Sequence, residues 1–206
     1  MRSDQSVDLC NRRQDNIRRP ILPELRPVAL HARGMYESQA ASDSPYLASR
    51  AFRMLSEIAE AEGRYADAEN ESIRSVDLAR QSRCTHASGE FNLAESLSAL
   101  CQTLDSRGYF DKALQVGQEQ QKMLEELCTK EPENLAHRRE LGIACFWVGK
   151  MLANLSRWQE SAEAFEQAIK ATQAVIDAGG SFGSLNADLD AMTSWLKHVR
   201  DQINKK

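Results

Sequence analysis

The sequence predicts an all-α fold in which helical hairpins stack as a solenoid. Three observations carry that expectation. From residue 46 onward the chain is almost wholly helix-forming, and no segment shows the strict alternation of a strand. One triplet returns three times, as Gly63, Tyr65 and Ala68, as Gly108, Phe110 and Ala113, and as Ser156, Trp158 and Ser161, at spacings of 45 and 48 residues. A fixed period in this range marks a repeat architecture. Finally, a small residue stands seven positions before each turn residue, at Ser56, Cys101 and Gly149.

Each member of the triplet has a physical task. The first lets the chain turn sharply between antiparallel helices, where glycine adopts a left-handed cap at no steric cost. The aromatic starts the second helix and plugs the open end of the hairpin. The small residue three later lies one turn on, where it lets two backbones approach closely.

The elements follow in order. Residues 1–23 read as a basic, disordered leader, and residues 24–45 as an N-terminal helix (24–39, with Pro27 in its first turn) and a loop. Helices at 46–62 and 64–82 form repeat 1 (46–87), and helices at 88–107 and 109–130 form repeat 2 (88–132). Helices at 133–156 and 158–178 form repeat 3 (133–178), preceded by the helix-ending proline of "TKEPEN". After the linker "AGGSFGS", residues 184–206 form a capping helix with Leu185, Leu189, Met192, Leu196 and Val199 as its apolar stripe. Trp195 is one position off that stripe and reads as a packing residue.

On these residues the units resemble tetratricopeptide repeats. The third fits best, with Val148-Gly149, Leu152, Ser156, Trp158, Ser161, Phe165 and Ala168; the second has Leu97, Leu100-Cys101, Leu104, Gly108, Phe110 and Ala113; the first has Phe52, Leu55-Ser56, Ala59, Gly63, Tyr65 and Ala68. The second departs from the pattern at Gly117 and Gln120 and the first at Ser72 and Ser75, where one repeat packs on the next. The usual period is about 34 residues, so these are long units, similar to those of bacterial signalling proteins, including tails of Ser/Thr kinases.

The resemblance implies a right-handed α-solenoid of about three repeats, with the first helix of each pair lining a concave groove. Mapped residue by residue, the groove positions are Arg50, Arg53, Glu57 and Glu60, then Glu95, Ser98, Gln102 and Asp105, then Ile143, Phe146, Lys150 and Asn154. Phe146 is the expected apolar anchor, with Arg50, Arg53 and Lys150 orienting acidic groups of a partner. The carboxylate clamp by which some members hold chaperone tails is not matched.

Composition narrows the function classes. The 206 residues are 42% hydrophobic and 27% charged, an ordinary globular balance, and the net charge of −4 disfavours a general nucleic-acid binder. Charge is uneven: residues 1–33 hold seven Arg against four acids, which leaves −7 on the rest. The longest apolar run, "LGIACFWVG", is too short for a bilayer, and the N-terminus lacks an apolar signal core. The expected location is therefore cytoplasmic, without a membrane partner.

Catalytic motifs are missing. "GGSFG" lacks the lysine ending of a phosphate loop. "HRREL" has Arg139 where a kinase catalytic loop has Asp. Cys84 and His86 have no second ligand pair in reach, and five scattered cysteines without a CxxC read as free thiols. His31, His137 and His198 are isolated. The expectation is a non-catalytic protein–protein interaction module, a scaffold or adaptor, with no cofactor and no metal, that binds a peptide or helix. The alternatives are a structural or self-assembling module (a homodimer) and the regulatory part of a larger signalling enzyme such as a bacterial Ser/Thr kinase.

Overall fold

The computed structural model describes residues 22–37 and 44–205. Residues 1–21 of the basic leader and most of the loop at 41–45 lie outside them, whereas Leu22 and Pro23 belong to the first helix. The described residues form eight helices and no strand: α1 (Leu22–Glu37), α2 (Pro45–Ala61), α3 (Tyr65–Ser82), α4 (Gly89–Ser106), α5 (Phe110–Lys130), α6 (Leu135–Asn154), α7 (Trp158–Asp177) and α8 (Leu185–Ile203). The fold is all-α, and within each compact unit neighbouring helices pack in series. The chain divides into two compact units between Arg107 and Gly108. In the first, α1 packs on α2, α2 on α3 and α3 on α4, with α2 also against α4. In the second, α5 packs on α6, α6 on α7 and α7 on α8.

Local chemistry explains the helix ends. Ser44 caps α2 by accepting a hydrogen bond from the Leu47 amide at 3.3 Å, and Pro45 follows at the first turn, where its missing N–H costs nothing. Asn134 caps α6 through the Ala136 and His137 amides. The hairpin turns share one geometry. Gly63 has φ +75°, with its amide donating to Glu60 O and the Arg64 amide donating to Ala59 O. Ser156 repeats this pattern at φ +59°, bonding Ala153 O, while Arg157 reaches Leu152 O. Gly179 does the same after α7. All three are left-handed caps that satisfy two helix-end carbonyls. Gly108 also has φ +74°.

The N-terminal helix differs from expectation. It begins at Leu22, two residues early, so Pro27 sits in its interior. Pro23 occupies its first turn, where no N–H is needed, and Pro27 removes one intrahelical hydrogen bond. Residues 38 and 39, its expected end, lie outside the described residues. Two ion pairs hold α1 to the first unit, Arg26–Glu62 and Arg33–Glu71, both at 3.0 Å.

The small residues of the repeat pattern mark close crossings. Ala68, Ala113 and Ser161 are fully buried, as are Ser56 and Cys101 to within 1%. The Ser161 hydroxyl donates to Gly149 O at 2.7 Å, tying α7 to α6. The aromatics behave less uniformly: Phe110 and Trp158 are half-buried, but Tyr65 keeps 44% of its surface in solvent, so it does not plug its hairpin.

Ser75 has a task of its own. Buried between three helices, it donates to Ser49 O on α2 and pairs with Ser96 Oγ on α4. Asn92 Nδ2 donates to Ser49 Oγ at 2.6 Å, and Ser96 Oγ donates to Asn92 O. Small hydroxyls allow close approach and satisfy one another, which an apolar residue of larger volume would prevent. In the second unit Trp195 is buried and stacks on Phe165 at 5.9 Å. Among the described residues no helix is long and apolar enough to cross a membrane.

Candidate partner-binding face

Two helices of the first unit carry matching stripes. On α2 these are Tyr46, Arg50, Arg53, Glu57 and Glu60; on α4 they are Phe91, Glu95, Ser98, Gln102 and Asp105. Steps of four and three keep each set on one side of its helix. The stripes correspond at a spacing of 45 residues. Most members are half-buried; Arg50 is exposed and Ser98 is 8% exposed.

Arg53 joins the stripes. One end nitrogen lies 3.4 Å from Glu57 Oε1 and the other 3.2 Å from Glu95 Oε2. A guanidinium between carboxylates on adjacent helices fixes their register through charge-assisted hydrogen bonds. One turn further, Glu60 accepts from the Ser106 hydroxyl at 2.6 Å and from Thr103 Oγ1 at 3.4 Å. Gln102 Nε2 donates to Ser98 Oγ. The structure therefore brings together Arg53, Glu57 and Glu95, and sets Glu60 against Thr103 and Ser106.

The opposite end of the face is aromatic. The Tyr46 ring stacks on His86 at 3.7 Å and 11°, and the Arg50 guanidinium lies 5.8 Å from the same ring. His86 Nδ1 accepts from the Ser88 amide at the start of α4. Tyr46 and Phe91 were missed in the sequence, although they continue the stripes by one step of four.

The four remaining groove positions lie on α6, in the second unit. Ile143 is half-buried and Asn154 exposed. Phe146 is half-buried, with its ring 5.7 Å from Phe165 and 5.6 Å from Trp147, packed against the cluster of Cys145, Ala168 and Met192. Lys150 is only 9% exposed, and its ammonium lies 4.8 Å over the Trp147 ring. Phe146 thus has a packing task beside any binding one, and Lys150 is mostly covered.

Reactive chemistry is muted on the described residues. Burial pushes the Cys145 thiol up to about 12 and raises that of Cys128, so both stay protonated and weakly nucleophilic at neutral pH. Cys84 is exposed. No group of three or more His, Cys, Asp or Glu among the described residues is placed to hold a metal ion. Compared with known proteins, the chain matches no family model and no curated relative.

Proposed function

We propose that this chain is a non-catalytic interaction module that binds a peptide or helix of another protein on the α2–α4 face. The observation that carries the reading is the pair of matched stripes, 45 residues apart, locked in register by Arg53. A rigid face with an aromatic end and a charged end suits a segment that offers both an apolar anchor and polar groups. The finer reading is that of tetratricopeptide-like units, about three in number, in a right-handed α-solenoid closed by α8. It acts as a scaffold or adaptor in the cytoplasm. The left-handed turns at Gly63, Gly108 and Ser156 support it, because they recur at the repeat period.

Site-specific photo-crosslinking in the source cells tests the reading. A photoreactive residue is placed at Arg50 or Gln102, and in a control at the exposed Asn70 of α3. Capture of the same protein from positions 50 and 102, and not from 70, is the expected result. Equal capture from all three would show that the face has no part in binding.

A further inference from the structure

The second unit carries a cleft of about 440 Å³, lined by α7 and, through Leu196, by α8. Ile169, Ala174 and Leu196 supply its apolar surface. Ile169 packs on the cluster of Cys145, Ala168 and Met192, so this surface is fixed by the core beneath it. The polar rim is largely engaged with itself. Glu166 accepts from Arg200 of α8 at 2.8 Å, and Gln173 Nε2 donates to Asp177 Oδ1 at 2.8 Å. Lys170 is exposed, so its stem lines the cleft while its ammonium stays in water. From Glu166 to Asp177 α7 runs about 17 Å.

The first unit carries a helix face that matches it. On α1, Ala29 is buried, and Arg26 and Arg33 reach Glu62 and Glu71 of the same unit. The outward side holds Pro27, Val28, Leu30, His31 and Gly34, all exposed. Val28 keeps 63% of its surface in solvent and Leu30 42%. At 100° per residue these five share an arc of about 160°. None of them carries a carboxylate, an ammonium or a guanidinium. Two aliphatic side chains left this open on one small helix face gain free energy by burial. From Pro27 to Gly34 the helix is about 10 Å long, within the length of the cleft.

We propose that α1 of one copy docks in the α7–α8 cleft of a second copy, with Val28 and Leu30 on Ile169, Ala174 and Leu196. Charge favours this occupant. Arg200 and Gln173 hold the carboxylates of the cleft, and Glu62 and Glu71 hold the arginines of α1. The two surfaces therefore meet without stranding a charge, whereas a strongly charged segment of either sign gains little there. Each copy offers one helix and one cleft. The contact is thus heterologous, and further copies can join by the same contact. One helix makes a small interface, below about 1,200 Å², so the expected dissociation constant is on the order of 100 µM. Assembly of this kind uses no residue of the α2–α4 face.

Sedimentation velocity of the full chain, from about 5 to 500 µM so as to bracket that constant, tests the proposal. Val28→Glu spoils the helix face and Ala174→Glu the cleft, and circular dichroism verifies the helices of both variants. The average mass of wild type should rise with concentration. Each variant alone should associate at least about tenfold more weakly. An equimolar mixture of the two should regain a 1:1 dimer, because the first variant keeps an intact cleft and the second an intact helix. A wild type that stays monomeric throughout, a Val28→Glu protein that associates like wild type, or a mixture of two folded variants that stays monomeric would each overturn the proposal. Val28 faces solvent, so its variant keeps the test decisive even where Ala174→Glu disturbs α7. Crosslinking from positions 50 and 102 is decided separately.

Discussion

Gly149 of α6 packs against the ring of Phe165 on α7: a Cβ at position 149 would come within 3.1 Å of three ring atoms. Phe165 is fully buried and stacks on Trp195, so its ring has little room to retreat. Gly149→Ala should therefore destabilise the second unit by about 1–2 kcal/mol. An overpacking cost of about 1–3 kcal/mol outweighs the roughly 0.5–1 kcal/mol that alanine gains in a helix. Denaturant unfolding reads the difference, and an unchanged or higher midpoint would contradict the tight crossing.

Ser156 holds a left-handed conformation that glycine adopts freely. A non-glycine residue there costs roughly 1–2 kcal/mol, offset in part by glycine's greater freedom in the unfolded chain. Ser156→Gly should raise stability by about 0.5–1 kcal/mol, while Gly63→Ala lowers it by about 1 kcal/mol. Thermal melts of the two variants should move in opposite directions. Movement in the same direction would remove the claim that the turns are equivalent.

Gln120 on α5 is fully buried, and neither its amide nitrogen nor its amide oxygen has a hydrogen-bond partner among the described residues. An unsatisfied buried amide costs about 1–3 kcal/mol. Gln120→Met keeps a similar length and flexibility without the polar atoms, so it should stabilise the protein by about 1 kcal/mol or more. A loss of stability on urea titration would mean that the amide is satisfied after all.

The thiols should separate by reactivity. At pH 8 a thiol reagent should label Cys84 fastest, Cys128 slowly and Cys145 hardly at all, since burial holds the last two protonated. The same burial has a stability consequence. The unfolded chain ionises Cys145 near the ordinary thiol value of about 8.5, the folded one near 12. The stabilisation is complete below pH 8.5 and is lost as pH rises toward 12, where the unfolded state holds fewer protons. Cys145→Ala should flatten that alkaline decline, and an equally steep decline in the variant would count against it.

Helix ends were legible because glycine, proline and capping side chains mark them locally. Gly63, Gly108 and Pro132 punctuate the chain wherever it folds, and most boundaries agree within two residues. Ser156 was legible as a turn only through its register with the two glycines. The candidate face was legible as two helical stripes, but its central link was not, because Arg53 and Glu95 meet across 42 residues of chain. The same limit hid Lys150, whose cover over Trp147 depends on packing rather than on its own helix pattern. Ser75 looked like a departure from an apolar pattern. Its neighbours Ser49 and Ser96 come from other helices, and only their meeting explains it.

The way α1 is attached bears on how the protein opens. It packs chiefly on α2 and is clasped by the ion pairs at Glu62 and Glu71, whereas α4 packs on both α2 and α3 and most of its residues are buried. Opening of the first unit should then begin at α1 and proceed inward. Amide protons of α1 exchange with solvent at a small local free energy, while those of α4 wait for the whole unit to come apart.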